Sequence, residues 1–310
     1  MTAMKQPLTD DHVFLIGRPP LEEYLGFLTV QCVDGASADL RVLAEEWRSA
    51  NDHVRELEAT EAGWADDAPI LGLPGGLAAL AAEVMANPII QTCYGVVPNN
   101  IAMVELDRLV VSQKDINLMY ARQIEATLGT DPTEEQIFEL CLPFGAPPPV
   151  VEAARIANNG YMFLSQSNDL RFLEPTLLDA QSLIGHKPRG VVAGIVALPV
   201  GFSPNCLSVI SVEKRLILNN GSHRAYALRD LGITHVPAII QTVTRREELP
   251  VCASELVQQQ PDRYLKDPRP PVLKDYFDPK LRKIVTVVRR LRQVKIAFGV
   301  EPLDVPAARG

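Results

Sequence analysis

Leu216-Ile-Leu-Asn-Asn-Gly-Ser-His-Arg-Ala-Tyr-Ala-Leu-Arg-Asp-Leu-Gly-Ile-Thr-His-Val-Pro-Ala-Ile-Ile240 reads as a strand, a tight polar turn, a helix, a glycine stop and a second strand. Gly221 suits the positive φ needed where the chain reverses. Ser222 is a favoured helix N-cap, Gly232 a natural residue just past a helix end, and Pro237 sets an extended start to the last strand. The pattern predicts a helix N-terminus presented at the end of a strand. Such a terminus offers unpaired N–H groups and the positive end of the helix dipole, so it attracts anions, phosphate above all. Arg224 adds a forked guanidinium and His223 a further donor on the same turn.

Working outward, Arg18-Pro19-Pro20 forces extended backbone, and residues 37–61 predict a helix capped by Ser37 or Asp39, with Leu40, Leu43, Trp47, Val54 and Leu57 on one face. A turn at Leu73-Pro74-Gly75-Gly76 precedes an Ala-rich helix from Leu77 to Ala86 that Asn87-Pro88 stops. Strands are expected around Ile101–Leu106, Val191–Val200, Cys206–Ile210, Arg215–Leu218 and Val236–Val243, with helices over Thr133–Leu140 and Ser222–Leu231. Alternating strands and helices predict a mixed α+β (α/β) core.

The expected division is a mostly helical N-terminal region over 1–98, a core over 99–250 with an insertion at about 147–190, and a C-terminal extension over 251–310. Residues 256–271, rich in Gln and Pro, are expected to wrap the surface. Beyond them Leu281, Ile284, Val285, Val288, Leu291 and Val294 fall at helical spacing. Lys280, Arg282, Lys283, Arg289, Arg290, Arg292 and Lys295 fill other positions, which predicts an amphipathic basic helix. An apolar stripe docked on the core explains it, and a nucleic-acid contact is the alternative.

The chain has 310 residues, 47% hydrophobic and 22% charged, an ordinary globular balance. Its longest apolar run, Gly190 to Val200, is far shorter than the ~20 residues that cross a bilayer. No signal-peptide pattern opens the sequence, so a cytoplasmic location without membrane contact is expected. The five cysteines lack metal or disulfide spacing and read as reduced, mostly buried small hydrophobes. A net charge of −8 weighs against nucleic acid as a general partner while leaving room for a local basic patch.

The turn Gly221-Ser222-His223-Arg224, with the Ala225/Ala227 helix, Leu231-Gly232 and Val236-Pro237, resembles the signature of the ParB/sulfiredoxin-like superfamily, which includes ParB N-terminal domains, sulfiredoxins and free-serine kinases. Met103 to Asn117 is similar to that family's opening strand and following loop. The resemblance implies a ParB/sulfiredoxin-like core in which Asn220, Gly221, Ser222, His223 and Arg224 bind nucleotide phosphates, with ATP or another nucleotide and Mg²⁺ as cofactors. Ser222 stands where sulfiredoxins carry their cysteine, so sulfinic-acid reduction is not implied. Gln113 stands where the kinases carry an acidic base and cannot take a proton. Glu105, Asp107 and Asp115, which flank the opening strand, are the replacement candidates, and His223 is a fourth catalytic candidate.

His186, beside Lys187 and Arg189, is either an anion contact or part of a plain surface loop, whereas His12, His53 and His235 have no partners at metal-ligand spacing and read as structural. Two functions follow. The first is phosphoryl transfer from a nucleotide to a small hydroxylated metabolite, by a monomer or a homo-oligomer. The second is a ParB-like switch in which nucleotide occupancy controls association with DNA or protein through the basic tail. The absence of a recognisable helix-turn-helix and the acidic charge weigh against it.

Overall fold

A computed structural model describes residues 7–143, 145, 147–157, 159–182, 184–185 and 189–306. They form two compact units. The first draws on residues up to 146 and on Pro204–Arg289, the second on Pro147–Ser203 and residues from 290 onward.

The first unit opens with β1 (Thr9–Leu15), α1 (Leu21–Gln31), α2 (Leu40–Thr60), β2 (Ile70–Leu71), α3 (Ala78–Ala86), α4 (Pro88–Tyr94) and β3 (Asn99–Glu105). Next come β4 (Val110–Val111), β5 (Asp115–Asn117), α5 (Leu118–Leu128) and α6 (Glu134–Cys141). The second unit contributes β6 (Val151–Ile156), β7 (Gly160–Ser165), β8 (Arg171–Phe172), β9 (Thr176–Leu178), β10 (Ile195–Ala197) and β11 (Val200–Gly201). The chain then re-enters the first unit with β12 (Ser208–Val212), β13 (Arg215–Asn220), α7 (Ser222–Asp230), β14 (His235–Val243), α8 (Glu255–Gln259), α9 (Pro261–Leu265) and β15 (Arg282–Val288). It ends with β16 (Arg292–Ala297) in the second unit, where β16-β7-β6 form one small sheet and β10-β9 and β11-β8 form two ribbons.

The architecture is mixed α+β. Six strands in the order β2-β3-β14-β12-β13-β4 make the main sheet. β12 and β13 form a hairpin; α7 then carries the chain to β14, which lies parallel to β12 and antiparallel to β3. The run Leu216-Ile217-Leu218 is apolar throughout because both faces of the sheet are covered. Leu216 and Leu218 join Ala225 and Leu228 of α7 in one core, and Ile217 joins Tyr264 and Leu265 of α9 in another. A second sheet, β15-β1-β5, sits with α1 and α2 around Phe14, Tyr24, Val54 and Val285.

Several expectations are corrected. Residues 280–295 form no helix: Arg282–Val288 is a strand paired with β1 along all seven residues. Ile284-Val285-Thr286-Val287-Val288 is a run of β-branched side chains that suits a pleat better than a helix. Val285 and Val287 are buried while Ile284 is exposed, the period of two expected of a strand. Asn87-Pro88 does not merely stop α3. Asn87 accepts from the Ile89 N–H at 2.8 Å and Pro88 occupies the first turn, which together start α4. Residues 256–271 contain α8 and α9 and bury Tyr264, Leu265 and Arg269. Among the cysteines only Cys141 and Cys206 are buried; Cys93 is exposed.

No helix among the described residues is long and apolar enough to cross a membrane.

Candidate functional site at the N-terminus of helix α7

Gly221 adopts φ +96°, and a Cβ there would meet Leu207 at 3.0–3.2 Å, so a glycine is needed both for the turn and for the close approach. The turn places the N-cap at Gly221, one residue before the expected Ser222, and no side chain caps the helix. Ala225 makes the first helical hydrogen bond, to the Gly221 carbonyl at 2.9 Å, which leaves the N–H groups of Ser222, His223 and Arg224 without intrahelical acceptors. The Asn220 side-chain oxygen accepts from the Gly221 N–H at 2.8 Å and steadies the turn.

His223 and Arg224 part company. His223 Nε2 accepts the Asn117 backbone N–H at 3.1 Å. The ring proton therefore sits on Nδ1, which makes that atom a donor. Burial pushes the His223 pKa down to about 4, against the pull of Asp115, so the ring is neutral at pH 7. Arg224 faces inward. Its guanidinium donates to the carbonyls of Leu140 and Cys141, both at 3.1 Å, and to the Asn205 backbone and side-chain oxygens. It thereby caps the C-terminus of α6, where the helix dipole favours a cation. The expected role of Arg224 as a phosphate ligand is corrected: its donors already serve four protein oxygens.

Asn117 organises the other side of the turn. Besides the amide given to His223, it caps α5 by accepting the Tyr120 N–H at 3.0 Å, and it donates to Asp10, which Arg289 clasps. Its β5 neighbour Asp115 accepts from His12 Nδ1 at 2.7 Å, and both residues lie close enough to act electrostatically on His223. Cross-strand register explains the meeting. His12 lies opposite Asn117 and Phe14 opposite Asp115, so His12 and Asp115 are diagonal neighbours on one face. His12, read as structural from the sequence, thus belongs to the site. Only its alternation with Val13 and Leu15 in a strand-like run could have hinted at this, and its partner lies 103 residues away.

The remaining candidates lie elsewhere. Asp107 is bound by Arg229 at 3.0 Å in the last turn of α7, about 10 Å along the helix axis from Ser222. Glu105 is paired in register with His235 at the same far end. Of the three carboxylates expected near the turn, Asp115 is the one the fold brings there. Gln113 donates to the Asp115 carbonyl at 3.1 Å. His186 and Lys187 lie outside the described residues, as does Asn158.

Among the described residues no three His, Cys, Asp or Glu side chains converge to hold a metal ion by themselves. A Mg²⁺ held through nucleotide phosphates would need only one or two protein carboxylates, and Asp115 is a carboxylate beside the turn. No family model, no curated protein and no solved structure matches the chain.

Proposed function

We propose that the first unit is a ParB/sulfiredoxin-like core that binds nucleotide phosphates at the N-terminus of α7 and transfers a phosphoryl group to a small hydroxylated metabolite. The observation that carries this reading is the Asn117-to-His223 hydrogen bond. It ties the signature turn to the segment bearing Asp115 and leaves a neutral imidazole with an Nδ1–H donor on a residue of the first turn, whose three leading amides have no intrahelical acceptors. Together these donors suit the oxygens of a polyphosphate.

ATP or a related nucleotide, with Mg²⁺, supplies the transferable phosphoryl group. The protein's part is positioning and proton transfer. Asp115 orients His12 through Nδ1, so that Nε2 can accept the proton of a substrate hydroxyl. This pair supplies the base that Gln113 cannot. A nucleotide-controlled DNA-binding switch depended on a basic helix. That segment is strand, with Arg289 committed to Asp10 and Lys283 to Glu46, so no specific observation favours the switch.

The test is a thermal-shift series with ATP, ADP, CTP and GTP, with and without Mg²⁺, on the wild-type chain and on His223→Asn and His12→Asn. The expected result is a rise in melting temperature with one nucleotide, diminished in His223→Asn but kept in His12→Asn, which instead loses phosphotransfer. No rise with any nucleotide refutes the assignment.

A further inference from the structure

Between β1, the segment before β5 and α9 lies a narrow cleft lined by Arg18, Ser112, Gln113, Lys114, Arg263 and Tyr264, and by no carboxylate. Its closed end holds a body about the size of a water molecule, and its mouth opens to solvent. The Arg18 side chain is only 6% exposed, and its Nε is buried without a hydrogen-bond partner. Such a donor forgoes its hydration for nothing unless something polar meets it.

Asp275 and Glu58 are the carboxylates that act on Arg18, neither lines the cleft, and Asp275 is already engaged. Asp275 grips Arg269 with both oxygens, at 2.6 and 3.0 Å, accepts the Val272 N–H at 3.0 Å, and reaches Arg18 only at 3.4 Å. Glu61 serves Arg269 and Lys274. Arg263 pairs with no carboxylate; it donates to the Arg18 carbonyl and, at 3.4 Å, to the Gln260 side chain. Lys114 is paired with Glu23. Asp267, whose charge both guanidiniums feel, does not line the cleft. Burial, with crowding by Arg263, holds the pKa of Lys114 below its usual value, and burial with the charges of Arg269 and Arg263 does the same for Arg18, against the pull of Asp275; a bound anion would relieve this.

We infer that this cleft is a second anion site, separate from the α7 turn, in which Arg18 and Arg263 hold a phosphate group, one oxygen entering the closed end while the rest sits in the mouth with Lys114. Two guanidiniums match a dianionic phosphate better than a carboxylate, and Ser112 and Gln113 add neutral polar groups to the lining. An open mouth admits a phosphomonoester as well as free phosphate.

The test is calorimetric titration of the full chain with inorganic phosphate and, separately, with glycerol phosphate, with acetate as the comparison anion. Arg263→Gln empties the cleft of its half-exposed guanidinium, and Ser222→Asp places a carboxylate at the α7 N-terminus to repel anions there. The expected result is saturable phosphate binding that weakens about tenfold or more in Arg263→Gln, the effect of one charged hydrogen bond, and persists in Ser222→Asp. Loss in Ser222→Asp with retention in Arg263→Gln places the phosphate at α7 and overturns the inference, as does the absence of saturable binding to the wild type. Should Arg263→Gln fold poorly, phenylglyoxal modification of the wild-type chain decides: phosphate must protect Arg263, and unprotected modification refutes the site.

Discussion

Replacing Arg224 by alanine separates a structural role from a ligand role. The guanidinium satisfies four oxygens: three backbone carbonyls, at Leu140, Cys141 and Asn205, and the Asn205 side-chain oxygen. A hydrogen bond to a charged donor contributes about 1.5–3 kcal/mol, and a buried carbonyl left unpaired costs about 1–3 kcal/mol. The four contacts share two nitrogens and are not additive, and removing a buried cation that has no carboxylate partner returns part of the desolvation cost. A net loss of about 3–5 kcal/mol results, a large fraction of the roughly 5–15 kcal/mol that holds a domain folded. Both tryptophans, Trp47 and Trp64, lie in the first unit, so their fluorescence follows its urea unfolding. At about 2–4 °C per kcal/mol for a unit of this size, the melting temperature should fall by roughly 6–20 °C. Arg224→Lys keeps the charge but not the fork and should fall between the two. An Arg224→Ala protein within about 1 kcal/mol of wild type that has lost nucleotide affinity would refute this assignment and restore Arg224 as a phosphate ligand.

The other predictions concern neighbouring features. His223, with a folded pKa near 4 against an ordinary 6.5, makes a stabilising contribution that is complete above pH 6.5 and is lost as the pH falls toward 4, by about 2–4 kcal/mol; His223→Asn should flatten the urea midpoint between pH 6.5 and 4.5. Gly221→Ala, strained at φ +96° and pressed on Leu207, should cost about 2–4 kcal/mol in the same unfolding assay, and a change below 1 kcal/mol would contradict the turn geometry. Asp107→Asn should leave nucleotide-induced thermal shifts unchanged, since its partner is at the far end of α7. Duplex DNA titrated at low and physiological salt should show no submicromolar, salt-sensitive binding; such binding, abolished by changing Arg289, Arg290 and Arg292 to Glu, would promote the switch reading.

The elements that were legible in the sequence are those whose cause is local. Leu216–Ile240 carried its own glycines, its proline and two apolar runs, and β13, α7 and β14 fall where those signals put them. The helix from Leu40 to Thr60 begins at Asp39, whose side chain accepts the Arg41 N–H at 2.9 Å, one of the two caps anticipated. The Thr133–Gln136 capping box likewise marks the start of α6. The segment 280–295 was not legible, because apolar residues at 281, 284, 285 and 288 satisfy a helical and an extended reading alike. What decided it was β1, far earlier in the chain, whose edge away from β5 needed a partner. Nothing within the segment specifies that partner.

The site divides along the same line. The anion binding proposed for it rests on backbone, three amides at a helix start, and backbone geometry follows from Gly221 and the apolar periodicity around it. Side-chain roles follow from what surrounds each residue, which the local pattern does not contain. Two adjacent residues of one signature turn therefore end with opposite assignments. His223 meets the Asn117 amide from β5 and stays neutral with an Nδ1–H donor, while Arg224 meets the end of α6 and turns both Nη groups to protein oxygens. The same reasoning moves His12 from a structural reading to the candidate site: the β1 register sets it diagonally across from Asp115, and a histidine oriented by a carboxylate has a chemical use that an isolated histidine lacks. A turn motif thus fixes where an anion can sit, and only the strands laid beside it fix which side chains can act on that anion.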